Sequence, residues 1–530
     1  MNGKSIYEQV LSGIGQAFAA PPAARVRPSA AVALWRLNEK NQIEIFWVRR
    51  SSILRFMGGW YAFPGGGISA SDLSASVQGS PIGIDTGYED EDVPGADGLE
   101  LRPTLIDGLL SCAIRELFEE TGVLIHNSTP APSNEDLGQA RRRLLDRKGS
   151  FDRILSDLGV QPDASVLTYA GRWVTPPFST IRFDTRFFLL EWPQERSVQP
   201  EVWAGELDQG EWTTAAEALQ RWRRGEVLVP QPVLHILRVL HEDGPDKGLT
   251  RLLPGAEHGP SPHRVEFRRE ISAVPQRTAT LPPATHTSAY LIGRREVIIV
   301  DPGSENADEL DRLKRAVRSV ALQDGGLVKA IWLTHHHPDH IGGALAMKQA
   351  VGAPICAHPL TAQRLESRGI EVDQPLHDGQ VVVLAGDPPV TIRIIHTPGH
   401  ARGHLSFYVE ETKSIITGDM VAGHSTIIID PPEGDMTDYM DSLQKLAALE
   451  PKVLLPAHGT MIANGVERLN ALYAHRLRRE QQVLEAWNQG LRDPVEILPA
   501  VYTDIGVHEY PMAERQIAAH IDRLQRLGMV

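Results

Sequence analysis

The run Thr334-His335-His336-His337-Pro338-Asp339-His340 crowds four potential metal ligands, His335, His337, Asp339 and His340, onto one corner after the apolar stretch Ala330-Ile331-Trp332-Leu333. A neutral imidazole is a good zinc ligand, and a carboxylate among imidazoles offers a hard oxygen to a second cation or a base to water. A solvated histidine-rich loop would share this composition. Compatible partners, however, recur downstream: His400 in His396-Thr397-Pro398-Gly399-His400, Asp419 after Ile415-Ile416-Thr417-Gly418, and His458 after Leu454-Leu455-Pro456-Ala457. Each ends an apolar, β-prone run. Such runs read as buried strands, whose ends gather polar residues at one edge of a sheet.

A second set lies in the first third. Leu110, Ala113, Ile114 and Leu117 recur at helical spacing and face a core, while Glu116, Glu119 and Glu120 share another face. Three carboxylates on one stripe repel unless a cation lies among them. Mg²⁺ suits them, because it takes oxygen ligands and completes its octahedron with waters and substrate phosphates. An ordinary acidic helix face would look the same by spacing alone.

The histidine series resembles the metallo-β-lactamase superfamily, with its His-x-His-x-Asp-His signature. Asp301, in Ile298-Ile299-Val300-Asp301-Pro302-Gly303, is similar to that family's first strand motif. The resemblance implies an αββα domain over residues 264–465 holding two Zn²⁺ ions. One would sit on His335, His337 and His400 and the other on Asp339, His340 and His458, with Asp419 bridging. Paired cations about 3.5 to 4 Å apart acidify water and stabilise an oxyanion, so the implied reaction class is hydrolysis. Asp339 would position or deprotonate the nucleophile. His336 alternates away from its neighbours and reads as structural or exposed, and His404 is open to a place near the substrate or to supporting the loop.

Arg115-Glu116-Leu117-Phe118-Glu119-Glu120-Thr121-Gly122 resembles the second half of the Nudix box. Phe63-Pro64-Gly65-Gly66-Gly67 looks like its glycine loop, but the helix motif begins far later than the family spacing, so residues 69–105 form an insertion. That insertion, with Asp85, Glu89, Asp90, Glu91 and Asp92, reads as a surface excursion. Asp72 stands six residues beyond Gly66, where the unbroken box has a glutamate. Split boxes of this type are similar to those of Nudix enzymes that hydrolyse coenzyme A and its esters. The segments from Arg50 to Gly59, Trp173 to Pro176 and Arg182 to Phe188 partly resemble that branch. The resemblance implies Mg²⁺ or Mn²⁺ on Glu116, Glu119 and Glu120, catalytic roles for Glu116 and Glu120, and a carboxylate-activated water attacking a diphosphate. Arg50 and Arg55 would grip phosphate, or are plain surface arginines after a strand.

A chain of 530 residues is too long for one core. The expected organisation is an N-terminal extension (1–25), a Nudix αβα sandwich (26–245), a turn-rich linker (246–263), the αββα domain, and a small helical domain (466–530). This makes an α/β and α+β multidomain protein. The helical ending, with expected helices from Leu469 through Trp487, Pro494 to Tyr502 and Met512 to Leu527, resembles the winged-helix tail of β-lactamase-like proteins related to an animal endoribonuclease. With 42% hydrophobic and 23% charged residues the chain is globular. Two distant cysteines, Cys112 and Cys356, exclude a disulfide scaffold and fit a reducing compartment. No apolar stretch reaches the roughly 18 residues of a membrane span, so the expectation is a cytoplasmic, soluble protein.

Three functions fit these features. In the first, a thioesterase acting on acyl-CoA or an acyl carrier is joined to a Nudix diphosphatase acting on coenzyme A or a nucleoside diphosphate derivative. In the second, a ribonuclease holds single-stranded RNA on Arg468, His475, Arg476, Arg478 and Arg479, a set that otherwise reads as a solvated helix face. The net charge of −14 opposes that reading. In the third, one module is a non-catalytic regulatory domain, against which the intact ligand sets argue.

Overall fold

The computed structural model describes residues 26–530 except 52–53, 55–56, 75, 84–102, 176–178, 180, 194–198, 254–263, 282–283, 323–324, 424–425, 504 and 507–508. The chain forms two compact units, Ala23–Pro262 and one that includes His263–Val530.

In the first unit, strand Val26–Leu37 carries alternating small and branched apolar residues. It lies at the centre of a seven-stranded sheet, antiparallel to Ile43–Arg50 and parallel to Arg182–Glu191. Its two faces serve two cores, as the period-two alternation of a strand requires. Ala30, Val32 and Leu34 pack with helix Pro103–Thr121, and Ala31 and Ala33 with helices Ala215–Arg223 and Gln231–Glu242. The glycine strand Gly65–Gly67 pairs with Ser29–Ala31 and thereby comes beside the helix that carries the three glutamates.

Two expectations need correction here. Residues 244–252, read as the start of a linker, form a helix whose Leu252 is buried and whose Leu249 packs on the core. Pro245 stands in its first turn, where a missing N–H costs nothing. Gly248 is a close-packing residue, because a Cβ there would strike Val239 Cγ1. Nor is the start of the 69–105 insertion a free excursion. Asp72 is fully buried, and Gln78 and Ile82 form bridges with Asp163 and Thr168. The acidic portion Asp85, Glu89, Asp90, Glu91 and Asp92 lies outside the described residues, as do Arg55, residues 1–25 and 254–263.

The second unit stacks two sheets. Seven strands from Val265–Arg268 to Gln374–Pro375 form one, and six from Val381–Leu384 to Ile462–Ala463 the other. The sheets face each other through Trp332 against Phe407, rings 4.9 Å apart, and through Tyr290 Oη donating to Pro456 O. Val297, Ile299 and Leu291 point away from that interface onto helices, including Ala307–Val317. On the other side Ile415 and Leu454 meet helices Met436–Ala447 and Gly465–Asn488. The result is the expected αββα layering. The tail is three helices, Gly465–Asn488, Pro494–Val501 and Tyr510–Arg526, as the spacing predicts, and no strand occurs among its described residues.

Candidate functional site

Four of the predicted ligands of the second unit follow the C-terminal ends of strands, while Asp339 and His340 lie in the short helix Pro338–Ile341, which His337 caps. His335 follows Leu327–Trp332, His400 follows Val390–His396, Asp419 follows Ser414–Gly418 and His458 follows Val453–Pro456. These ends converge on two groups of side chains. His335, His337, His400 and Asp419 form one, and Asp339, His340 and His458 the other, each with ligand atoms within 4.8 Å of one another.

Tautomers can be read from the outer hydrogen bonds. Thr334 Oγ1 donates to Asp301, so it accepts from His335 Nδ1 at 3.0 Å and leaves His335 Nε2 a bare lone pair. His400 Nδ1 donates to Ile428 O at 2.7 Å, His458 Nδ1 to His286 O at 3.0 Å and His340 Nδ1 to Asp301 at 2.8 Å. Such outer partners are what orient metal-binding imidazoles. His335 Nε2 and His400 Nε2 then lie 2.9 and 3.0 Å from His337 Nδ1. Ligand atoms on a tetrahedral zinc ion stand about 3.3 Å apart, given bonds of about 2.0 to 2.1 Å.

Asp419 faces both groups. Its Oδ1 lies 3.4 Å from His340 Nε2 and 3.3 Å from His458 Nε2, and its Oδ2 3.5 Å from His400 Nε2. His340 Nε2 and Asp419 Oδ1 are buried without a hydrogen-bond partner, a costly condition that bound cations relieve. Burial and the neighbouring imidazoles hold His335 and His337 well below the usual histidine range. Burial also opposes charge on His340, but Asp419, Asp339 and Asp301 outweigh it and raise its pKa well above that range. The donor set and its orphaned atoms fit a pair of metal ions.

His404 supports the loop. Its Nε2 accepts the Asp419 backbone N–H at 3.1 Å, its Nδ1 meets Thr397 Oγ1, and it is fully buried. His336 is half-buried and belongs to neither ligand group.

In the first unit the glutamate helix meets the glycine strand. Glu120 accepts the Gly65 N–H at 3.0 Å, and a Cβ on Gly66 would come within 2.5 to 2.8 Å of the Glu116 carboxylate, so only glycine leaves that carboxylate its place. Arg115 Nη1 bridges Glu116 and Glu119, at 2.8 and 3.1 Å, while its Nε and Nη2 hold Asp72 at 2.9 and 2.8 Å. Asp72 thus takes up the arginine of the box motif across the insertion. The three glutamates do not gather within one 4.8 Å group. Burial first, then Glu119, pushes Glu116 up to about 7 against the pull of Arg115, and burial with Glu116 holds Glu120 well above the usual carboxylate range. This is a pocket short of positive charge, as a divalent-cation site is before loading. Arg50 ion-pairs with Glu206 at 3.0 Å.

Comparison with known proteins agrees with this geometry. Residues 282–458 match the family model of the metallo-beta-lactamase superfamily, and residues 106–240 that of the NUDT19 Nudix domain. The lactamase-like protein vrtG of Penicillium aethiopicum is 32% identical over 234 residues, 44% of this chain and 70% of that protein. The chain belongs to the metallo-β-lactamase superfamily. The beta-lactamase-like protein 2 homolog of Caenorhabditis elegans is 29% identical over 233 residues, 44% of this chain and 74% of that protein. The atrochrysone carboxyl ACP thioesterase dmxR1 of Cryptosporiopsis is 32% identical over 208 residues, 38% of this chain, which spans 58% of that protein's length. The molecule is therefore a hydrolase that joins a Nudix domain to a metallo-β-lactamase domain, and both families are metal-dependent.

The basic set on the tail of the metallo-β-lactamase domain is largely spent internally. Arg476 is buried and donates to Ile427 O and, at 2.7 Å, to Gln516. Arg468 donates to Ala422 O, and Arg479 donates to Val501 O beside the Tyr502 ring. His475 is half-buried and its pKa falls to about 4, through burial and then the adjacent arginines, while Arg478 is exposed. Sequence reading missed the inward course of Arg476. Its spacing from Leu469 and Leu472, seven and four residues earlier on the buried stripe, was the available signal. Among the described residues no helix is long and apolar enough to cross a membrane.

Proposed function

We propose that the chain is a bifunctional hydrolase in which the metallo-β-lactamase domain cleaves thioesters of acyl-CoA or an acyl carrier, and the Nudix domain cleaves the diphosphate of coenzyme A or a nucleoside diphosphate derivative. The observation that carries the first half is Asp419 turning one oxygen to each ligand group. In this reading His335, His337 and His400 hold one Zn²⁺, Asp339, His340 and His458 another, and Asp419 bridges. The chemistry such a pair supplies is an acidified water and neutralisation of charge on the attacked carbonyl. In the same reading Asp339, with Oδ2 3.5 Å from His458 Nε2, would position or deprotonate the attacking water. In the Nudix domain, Glu116, Glu119 and Glu120 would hold Mg²⁺ or Mn²⁺, which supplies neutralisation of the diphosphate. Glu116 and Glu120 carry the catalytic roles, and Arg50 a phosphate contact.

A thioesterase name among the relatives supports the acyl substrate, and the inward course of Arg468 and Arg476 weighs against single-stranded RNA. A reducing, cytoplasmic setting fits two buried free thiols, Cys112 and Cys356. The test is a hydrolysis screen of acyl-CoAs, acyl-carrier thioesters, nucleoside diphosphate derivatives and short RNAs, repeated with Asp419→Ala and Glu119→Gln. Thioester hydrolysis should vanish only in the first variant and diphosphate hydrolysis only in the second. Thioester turnover that survives Asp419→Ala would remove the dinuclear assignment.

A further inference from the structure

Resting on the reading that His335, His337 and His400 hold a metal ion, we infer that Arg476 and Gln516, on the C-terminal helices, are positioning residues for His400. Three consecutive carbonyls carry the argument. Ile428 O accepts the proton of His400 Nδ1 at 2.7 Å, the bond that fixes which nitrogen of His400 faces the cluster. On either side, Ile427 O accepts from Arg476 Nη2, and Ile429 O accepts from Gln516 Nε2 at 3.3 Å. Gln516 Oε1 accepts from Arg476 Nη1 at 2.7 Å and closes the bracket.

The segment around these carbonyls belongs to no strand or helix, so no ladder fixes how its peptide planes turn. The tail takes the two outer carbonyls and His400 the middle one. Holding the outer two against the tail thus keeps the middle one on His400. Arg476 is 1% exposed and Gln516 7% exposed, so breaking the bonds they make here would strand buried polar groups. The bracket also leans on a second ligand loop. The Arg476 guanidinium lies 5.2 Å over the Tyr439 ring, and Tyr439 Oη donates to Met420 O, next to Asp419. The Tyr439 backbone in turn fills the space where a Cβ on Gly399, next to His400, would sit. The tail helices are in this way part of the wall behind the histidine site.

A purely adhesive role for Arg476 and Gln516 predicts a lower melting temperature and nothing more. A positioning role predicts a change in metal binding as well, largest at the group that holds His400. The full-length chain and its Arg476→Met, Arg476→Lys and Gln516→Leu variants are loaded with Zn²⁺ or Co²⁺, and metal affinity is read by chelator competition and by the visible absorption of the cobalt form. Loss of an outer partner typically costs about 10- to 100-fold in affinity. That loss is expected to be largest for the ion on His400, with an altered cobalt band. Arg476→Lys should lie between, because an ammonium reaches one acceptor where the guanidinium reaches two. Should Arg476→Met fail to fold, Gln516→Leu, which removes only a neutral amide, bears the same test. Variants that melt earlier but keep wild-type affinities and an unchanged cobalt spectrum overturn the inference. Wild-type protein that binds a single ion would instead overturn the dinuclear reading beneath it.

Discussion

Asp301 and His340, 39 positions apart in sequence, meet at 2.8 Å, carboxylate oxygen against Nδ1–H. The same carboxylate takes the backbone N–H and the hydroxyl of Thr334 at 2.7 and 2.6 Å. Asp301 does this from a left-handed backbone, φ 48°, which a residue with a Cβ adopts at a cost of about 1 to 3 kcal/mol. Three hydrogen bonds over-determine the conformation. The strain secures a carboxylate that sets the tautomer of His340 and, through Thr334, that of His335.

Asp301→Asn tests that role. An amide cannot serve both His340 Nδ1–H and Thr334 as a double acceptor, so His340 would lose its fixed tautomer. Metal affinity of the metallo-β-lactamase domain should fall about 10- to 100-fold in chelator competition, with the Nudix activity unchanged. Asp301→Gly, which relieves the backbone strain, should not restore it, and its doing so would argue that conformation and not the carboxylate matters.

Asp72→Ala should be among the most damaging changes in the Nudix domain. Asp72 is fully buried and holds Arg115, itself 7% exposed, through two bonds. Removing Asp72 leaves buried Arg115 donors without their acceptor, while Glu116 and Glu119 still balance the charge, and this is worth about 1 to 3 kcal/mol of destabilisation. Denaturant unfolding of the variant should show that loss, and a shift below about 1 kcal/mol would mean that water replaces the carboxylate.

Gly66→Ala separates geometry from charge. The new methyl would press on the Glu116 carboxylate without altering any ionisable group. A displacement of about 1 Å at a reacting centre can cost about 100-fold in rate. Diphosphatase activity should drop on that scale and need more Mg²⁺, while thioester hydrolysis stays at the wild-type level in the same preparation.

The ligand set is legible in the sequence because its members cluster after runs with a strong apolar signature, as His335 follows Ala330-Ile331-Trp332. The Asp72–Arg115 pair is not legible from motif spacing, since the partners stand 43 positions apart, far outside the spacing of an unbroken box. Gly248 misled for a different reason. A glycine reads as a turn whenever composition alone is weighed, yet here it admits Val239 to a helix surface. The inward turn of Arg476 follows from the helical stripe it shares with Leu472 and Val483, a signal that a count of charges alone does not carry.

The Nudix carboxylates should make stability depend on both pH and Mg²⁺. Burial, then Glu119, raises Glu116 from its ordinary 4.5 to about 7 against the opposing pull of Arg115. A carboxyl whose folded pKa is raised binds more protons folded than unfolded, so its contribution is fully present below pH 4.5. That contribution is lost as pH rises to about 7 and stays lost above. Glu119 and Glu120 shift in the same direction and add to the slope. Mg²⁺ binds the ionised forms, so its stabilisation should grow over the same pH window. The measurement is the melting temperature of the Nudix transition from pH 4.5 to 8, with EDTA and with millimolar Mg²⁺. Without cation the curve should fall with pH, and with cation the gap between curves should widen. Glu116→Gln should flatten the fall and narrow the gap. Parallel curves for the wild-type protein would show that these carboxylates do not bind the cation, and a cation-free curve that does not fall with pH would show that burial and mutual repulsion do not raise them.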